Sequence, residues 1–179
     1  TQNTAENLKR EAVRGEIHVT GNTVVDAVNH HLPIAEKTSN VLNSLKLKPS
    51  EYILLTTHRE ENVDNPTRLL GIIEGMDLVL SKYGYPVIFP VHPRTRKMIE
   101  HFGYDSLIDQ MVSKGLNPIK PLGYLDFLLA MKSAKLVMTD SGGLQEEACI
   151  LRVPTVTLRD NSERPETITR SEERRVGKE

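Results

Sequence analysis

Short apolar runs alternate along the chain with stretches in which apolar residues recur every three or four positions. YILLTT (52–57), PVIFPVH (86–92), KLVMTDS (135–141) and PTVTLR (154–159) have strand length, and Ile119 with its neighbours makes a shorter run. Between them lie helical patterns. Leu69, Ile73, Met76 and Leu80 mark a buried stripe that begins after Asp64-Asn65-Pro66, a cap candidate ahead of a first-turn proline. Helices are likewise predicted over 93–102, 124–134 and 143–151. Nearer the N-terminus, an amphipathic opening around 5–13 precedes IHVT (17–20) and a Gly21-Asn22-Thr23 turn. Val24, Val25, Val28 and Leu32 then share helical spacing up to Pro33, which is predicted to interrupt them before a second helical stretch through Leu45.

Strands alternating with helices of this length demand right-handed crossovers and a parallel sheet. The runs are continuous rather than alternating, as burial on both faces requires. The predicted fold class is therefore α/β, a parallel sheet with helices on both faces. Ligands of such sheets bind beyond the carboxyl ends of the strands, so residues directly after each strand carry the most weight.

With 179 residues the chain is long enough for one domain with a real core. Its 23 Lys+Arg and 24 Asp+Glu leave a formal charge of −1, which argues against nucleic acid as a partner. No apolar run approaches the roughly 20 residues a membrane-spanning helix needs, and TQNTAENLKREAVRG at the start has no signal-peptide core. Cys149 is the single cysteine, which excludes an internal disulfide and points to a reducing cytoplasm. It lies in the apolar stretch ACILRV and reads as a core residue. The last ten residues, RSEERRVGKE (170–179), hold four basic and three acidic residues around one isolated Val176, so nothing in them is expected to pack. They resemble a translated sequencing adapter and are expected to be a non-native tail.

Three groups follow predicted strands: His58-Arg59, opening HREEN; His92, closing VIFPVHP; and Asp140-Ser141-Gly142-Gly143, opening a helix. Twin glycines at a strand-to-helix turn let backbone N–H groups approach a ligand, and the helix dipole favours a phosphate there. The same tetrapeptide also reads as a plain helix start capped by Asp140 or Ser141. Glu146 and Glu147 lie within the first helical turns, where an acid can reach ribose hydroxyls. Histidines at strand ends can donate to a phosphate. Arg59, Arg94, Arg96 and Arg164 offer guanidinium forks, Arg94 and Arg96 reading as solvated. His30, His31 and His101 sit in helical contexts without a role, and no group has metal-ligand spacing. From the residues alone, this is a nucleotide- or phosphate-binding α/β domain of unspecified reaction.

GNTVVDAV (21–28), LLTTHREEN (54–62), FPVHPR (89–94), PLGYLDFLLAM (121–131), TDSGGLQEEA (139–148) and RDNSERPE (159–166) occur in one order. Together they resemble the C-terminal half of the non-hydrolysing UDP-N-acetylglucosamine 2-epimerases. The resemblance implies a Rossmann-like domain from a GT-B-like two-domain enzyme, with residues 1–20 a connector from an N-terminal domain and 21–169 the UDP-binding domain. It implies interconversion of UDP-N-acetylglucosamine and UDP-N-acetylmannosamine without a cofactor, by elimination of UDP and its re-addition. Ser141, Gly142 and Gly143 then match the diphosphate cradle, Glu147 the acid on the ribose, and Phe127 the ring beside uracil. His58 matches a catalytic histidine, Arg164 and His92 match further positions of the cleft, and Arg59 matches a residue that in some members helps bind an activating second substrate. The family's acid/base carboxylates belong to the N-terminal domain, so this chain is expected to bind UDP weakly, to epimerise nothing by itself and to be marginally soluble. The parent is expected to be a cytoplasmic homodimer. A glycosyltransferase half of GT-B type, a hydrolysing relative and a stand-alone nucleotide-binding module are the competing readings.

Overall fold

A computed structural model of the chain describes residues 2–159 and 174–175. In chain order the first elements are α1 (Gln2–Arg10), α2 (Thr23–Thr38), α3 (Val41–Ser44), β1 (Ile53–Thr56), α4 (Glu60–Val63), α5 (Pro66–Tyr83) and β2 (Val87–Pro90). There follow α6 (Pro93–Phe102), α7 (Asp105–Val112), β3 (Leu116–Ile119), α8 (Tyr124–Ser133), β4 (Leu136–Thr139), α9 (Gly142–Leu151), β5 (Thr155–Thr157) and β6 (Arg174–Arg175). The strands form one sheet in the order β3-β2-β1-β4-β5-β6, and every neighbouring pair is parallel. From β1 the chain builds outward through β2 and β3, then returns to lay β4, β5 and β6 on the other side. The order therefore reverses between β1 and β4, the switch point where such sheets open a crevice.

Alternate residues of the strands feed two cores. Ile53, Leu55, Val87, Phe89 and Met138 pack with Leu69, Ile73, Met76 and Leu80 of α5, Ile99 of α6, and Ile108 and Met111 of α7. Tyr52, Leu54, Ile88 and Val137 pack on the other face with Val28 of α2, Leu128 and Met131 of α8, and Ala148 and Leu151 of α9. Both faces are covered, which is why the strands read as unbroken apolar runs. The α5 stripe starts as its sequence indicates: the Asn65 side chain accepts from the Arg68 N–H at 3.1 Å, and Pro66 occupies the first turn.

Several expectations change. Pro33 does not interrupt its helix; α2 runs through it to Thr38, with Val28 and Ala35 buried on either side. A mid-helix proline costs about 3 kcal/mol, and the packing of α2 against α8 and α9 outweighs it. The second stretch is reduced to the single turn of α3. Two helices had no counterpart in the sequence reading: α4, which begins within HREEN and ends at Val63, and α7, whose stripe of Ile108 and Met111 is only two residues long. Residues 17–20 adopt no regular structure. The tail enters the sheet, since Arg174 and Arg175 lie in register beside Val156 and Thr157. Ladder pairing uses main-chain groups and needs no apolar side chain, which composition could not reveal. Cys149 is half-buried rather than a full core residue.

Candidate functional site

His58 and Arg59 leave the carboxyl end of β1, His92 that of β2, and Asp140 and Ser141 that of β4. The structure thus brings all three groups to one edge of the sheet, those of β1 and β4 facing each other across the switch point.

Asp140 is the joint between them. It is fully buried, and its carboxylate accepts from the Thr57 hydroxyl at 2.8 Å, the His58 N–H at 2.9 Å, the Arg59 N–H at 2.9 Å and the Asn62 amide at 3.1 Å. The His58 ring adds Nδ1, 3.3 Å from Oδ1. Burial alone would raise the Asp140 pKa, but hydrogen bonds from His58, Arg59, Thr57 and Asn62 outweigh it and hold the carboxyl at about 2. Below this joint the Thr56 and Thr139 hydroxyls meet at 2.7 Å, and Thr95 at the start of α6 donates to the Thr57 carbonyl at 2.5 Å. The Asn62 amide also donates to the Leu158 carbonyl at 2.8 Å, and buried Arg159 reaches Glu61 at 3.2 Å, so the end of β5 is fastened to α4.

With Asp140 so engaged, Ser141 alone caps α9. Its hydroxyl accepts from the Leu144 N–H at 3.5 Å, its carbonyl accepts from the Gln145 N–H at 3.1 Å, and its own N–H donates to the Thr139 hydroxyl at 3.0 Å. The N–H groups of Gly142 and Gly143 meet no acceptor among the described residues. A Cβ built on Gly143 would meet nothing closer than the Ser141 hydroxyl, at 4.0 Å. Neither crowding by the protein nor a left-handed backbone explains a glycine there. Gly142 is buried and Gly143 exposed; two N–H groups without an acceptor among the described residues, at the positive end of a helix, suit an anion.

The histidines line the same edge. The His58 and His92 rings lie 5.5 Å apart and tilted by 41°. His92 also starts α6, its Nδ1 accepting from the Arg94 N–H at 3.2 Å, so only Nε2 remains for a partner in the cleft. The His58 and Arg59 N–H groups point at Asp140 and are therefore not available to a ligand. Arg94 is partly solvent-exposed, as expected, but paired: it holds Asp64 at 2.9 Å and Glu60 at 2.6 Å, tying the α4 loop to α6. Those carboxylates push its pKa up further, and it holds Asp64 below the usual carboxylate range. Arg96 is paired with Glu100 and Asp105.

Phe127 lies on α8 and Glu147 on α9, two helices that pack against each other and against α2. Phe127, half-buried on α8, packs against the apolar cluster there. Glu147, half-buried on α9, has its pKa raised by burial and by the neighbouring Glu146 carboxylate. Arg164 lies outside the described residues, as does most of RDNSERPE. Thr57, Asn62 and Arg159 are the residues around this joint that the sequence reading missed, and Asp140, read there as part of a helix start, is the joint itself; each stands within a few positions of a strand end, and only the fold shows that they converge. Among the described residues no cluster of His, Cys, Asp and Glu is arranged to hold a metal ion, and no helix is long and apolar enough to cross a membrane.

The family model described as UDP-N-acetylglucosamine 2-epimerase matches residues 1–179 of the chain. The UDP-N-acetylglucosamine 2-epimerase of Methanocaldococcus jannaschii is 49% identical over 173 residues, 94% of this chain but 46% of that protein. The chain thus spans about half the length of the curated relatives it matches. A crystal structure of the M. jannaschii enzyme in complex with UDP-GlcNAc and UDP superposes with a TM-score of 0.90 at 46% identity, covering 99% of this chain and 49% of that one. The Neisseria meningitidis UDP-GlcNAc 2-epimerase bound to UDP-GlcNAc gives 0.80 at 30% identity, covering 100% of this chain and 48% of that one.

Proposed function

The chain belongs to the UDP-N-acetylglucosamine 2-epimerase family, and from that premise we propose that it is the UDP-binding part of an enzyme that interconverts UDP-N-acetylglucosamine and UDP-N-acetylmannosamine. The reaction proceeds by elimination of UDP and its re-addition after the C2 proton returns on the opposite face, with no redox cofactor. As UDP departs, negative charge grows on its diphosphate, so groups that hold that charge accelerate the step as well as bind. The free N–H groups of Gly142 and Gly143, the dipole of α9 and the His58 imidazole serve this purpose. Glu147 accepts from the ribose hydroxyls, Phe127 borders the uracil, and Arg59, His92 and Arg164 complete the cleft. The carboxylates that move the C2 proton belong to the other domain of the enzyme, which works as a cytoplasmic homodimer.

One observation carries this reading: Asp140 fastens the His58 loop to the start of the Ser141–Gly143 turn at the switch point, so that the His58 ring and the N-terminus of α9 stand at neighbouring strand ends. Calorimetric titration of the chain tests it. UDP binds with one-site stoichiometry, uridine at least tenfold more weakly, and UDP-N-acetylglucosamine is not turned over. Equal affinity for UDP and uridine refutes the diphosphate cradle, and turnover by the chain itself refutes the assignment of proton transfer to the other domain.

A further inference from the structure

His31, which has no role in the sequence reading, is fixed on α2. Its Nδ1 lies 2.7 Å from the Ala27 carbonyl, which only accepts, so Nδ1 carries the proton. The ring so held meets Tyr124 edge-on, 5.4 Å between centroids at 83°. A second tie lies about two turns on, at the C-cap of α2, where the Ser39 hydroxyl donates to Asp126 at 2.5 Å. The C-terminal half of α2 therefore braces the first turn of α8 at two points. Tyr124 opens α8 and Phe127 follows three residues later on the same side of the helix. Tyr124 remains 43% exposed although an aromatic ring packs against it, so one side of its ring is left uncovered. The Glu147 carboxylate is near enough to act on it: burial first, and then that negative charge, push the Tyr124 pKa up. The phenol stays a neutral donor.

On the reading that this cleft binds UDP, we propose that Tyr124 is a further nucleoside-contacting residue, its ring walling the pocket beside Phe127 and its hydroxyl donating to a ribose hydroxyl that Glu147 also holds, with His31 as the positioning residue. A ribose hydroxyl has one proton to give and lone pairs to fill. Glu147 takes the proton, and Tyr124 supplies a donor to the oxygen. This pairing selects ribose over a sugar without those hydroxyls.

Calorimetry with UDP and with 2′,3′-dideoxyuridine diphosphate tests the assignment. Tyr124→Phe keeps the ring and loses one neutral hydrogen bond, so UDP binding weakens about fivefold while binding of the dideoxy analogue is unchanged. Tyr124→Ala weakens both ligands. His31→Ala reproduces the UDP-selective loss in smaller measure. Unaltered UDP binding by Tyr124→Phe, or equal losses for the two nucleotides, overturns the proposal. If the unsubstituted chain binds neither nucleotide, the UDP reading itself fails and this assignment falls with it. Thermal unfolding of each variant confirms that the loss is not one of folding.

Discussion

His58 Nδ1 lies 3.3 Å from Asp140 Oδ1, and the contact joins the ends of the two central strands across the reversal in strand order. Because the carboxylate is fully buried and also takes N–H bonds from His58 and Arg59, it fixes a loop as well as a ring. The acid that positions the site is therefore part of the fold's own fastening.

Asp140→Asn is expected to destabilise the chain by about 2–4 kcal/mol, since buried donors lose a charged acceptor. The acid dependence has a definite sign. The folded carboxyl titrates at about 2 against an ordinary 3.8, so its stabilisation is complete above about pH 4 and is lost as pH falls through about 2. Linkage makes that loss about 2 kcal/mol. Urea unfolding at a series of pH values should show the gap between Asp140→Asn and the unsubstituted chain narrowing in acid; a gap independent of pH contradicts the account.

Gly143→Ala separates a structural glycine from a functional one. The added methyl meets open space on the protein side, and alanine favours the helix by up to about 1 kcal/mol. Stability should be unchanged or higher, whereas UDP affinity falls at least tenfold because the methyl occupies ligand space. Thermal unfolding and calorimetry on one sample read both.

Glu147→Gln trades in the same direction. The raised pKa of Glu147 means that its charged form opposes folding; that cost is present at neutral pH and relieved as pH falls through the folded-state value. Gln removes the charge, so stability at pH 7 should rise slightly while affinity for UDP falls. A variant that loses stability and keeps its affinity would make Glu147 a structural residue.

Gln145 gives a test free of any ligand. It is 2% exposed, and neither its amide nitrogen nor its amide oxygen has a partner among the described residues. Replacement by Met, of similar length and without polar atoms, is expected to stabilise the chain by about 1–3 kcal/mol. Lower stability would show that an ordered water already satisfies the amide.

Much of this site could be read along the chain because its parts stand directly after apolar runs. YILLTT, VIFPVH and KLVMT mark strands buried on both faces, and the next residues are His58, His92 and Asp140. The turn at Gly142 and Gly143 follows from the same logic. What escaped is whatever depends on convergence in space. Asp140 is indistinguishable from a helix cap until Thr57, His58, Arg59 and Asn62 are seen pointing at it. The ion partners of Arg94 escape because Glu60 and Asp64 are some thirty residues away in sequence. Pro33 misleads because intrinsic propensity is local, whereas the packing of Val28 and Ala35 that holds α2 together is tertiary. The short α4 has too few residues for periodicity to reveal it.

The central claim is that two unpaired amides and His58 grip a diphosphate. An amide-resolved NMR titration with UDP addresses it most directly. Gly142 and Gly143 should move downfield together and saturably, the His58 ring signals should shift with the same midpoint, and uridine should leave all three in place. UDP-induced shifts confined to other parts of the chain, with the Gly142 and Gly143 amides unmoved at saturation, would contradict it.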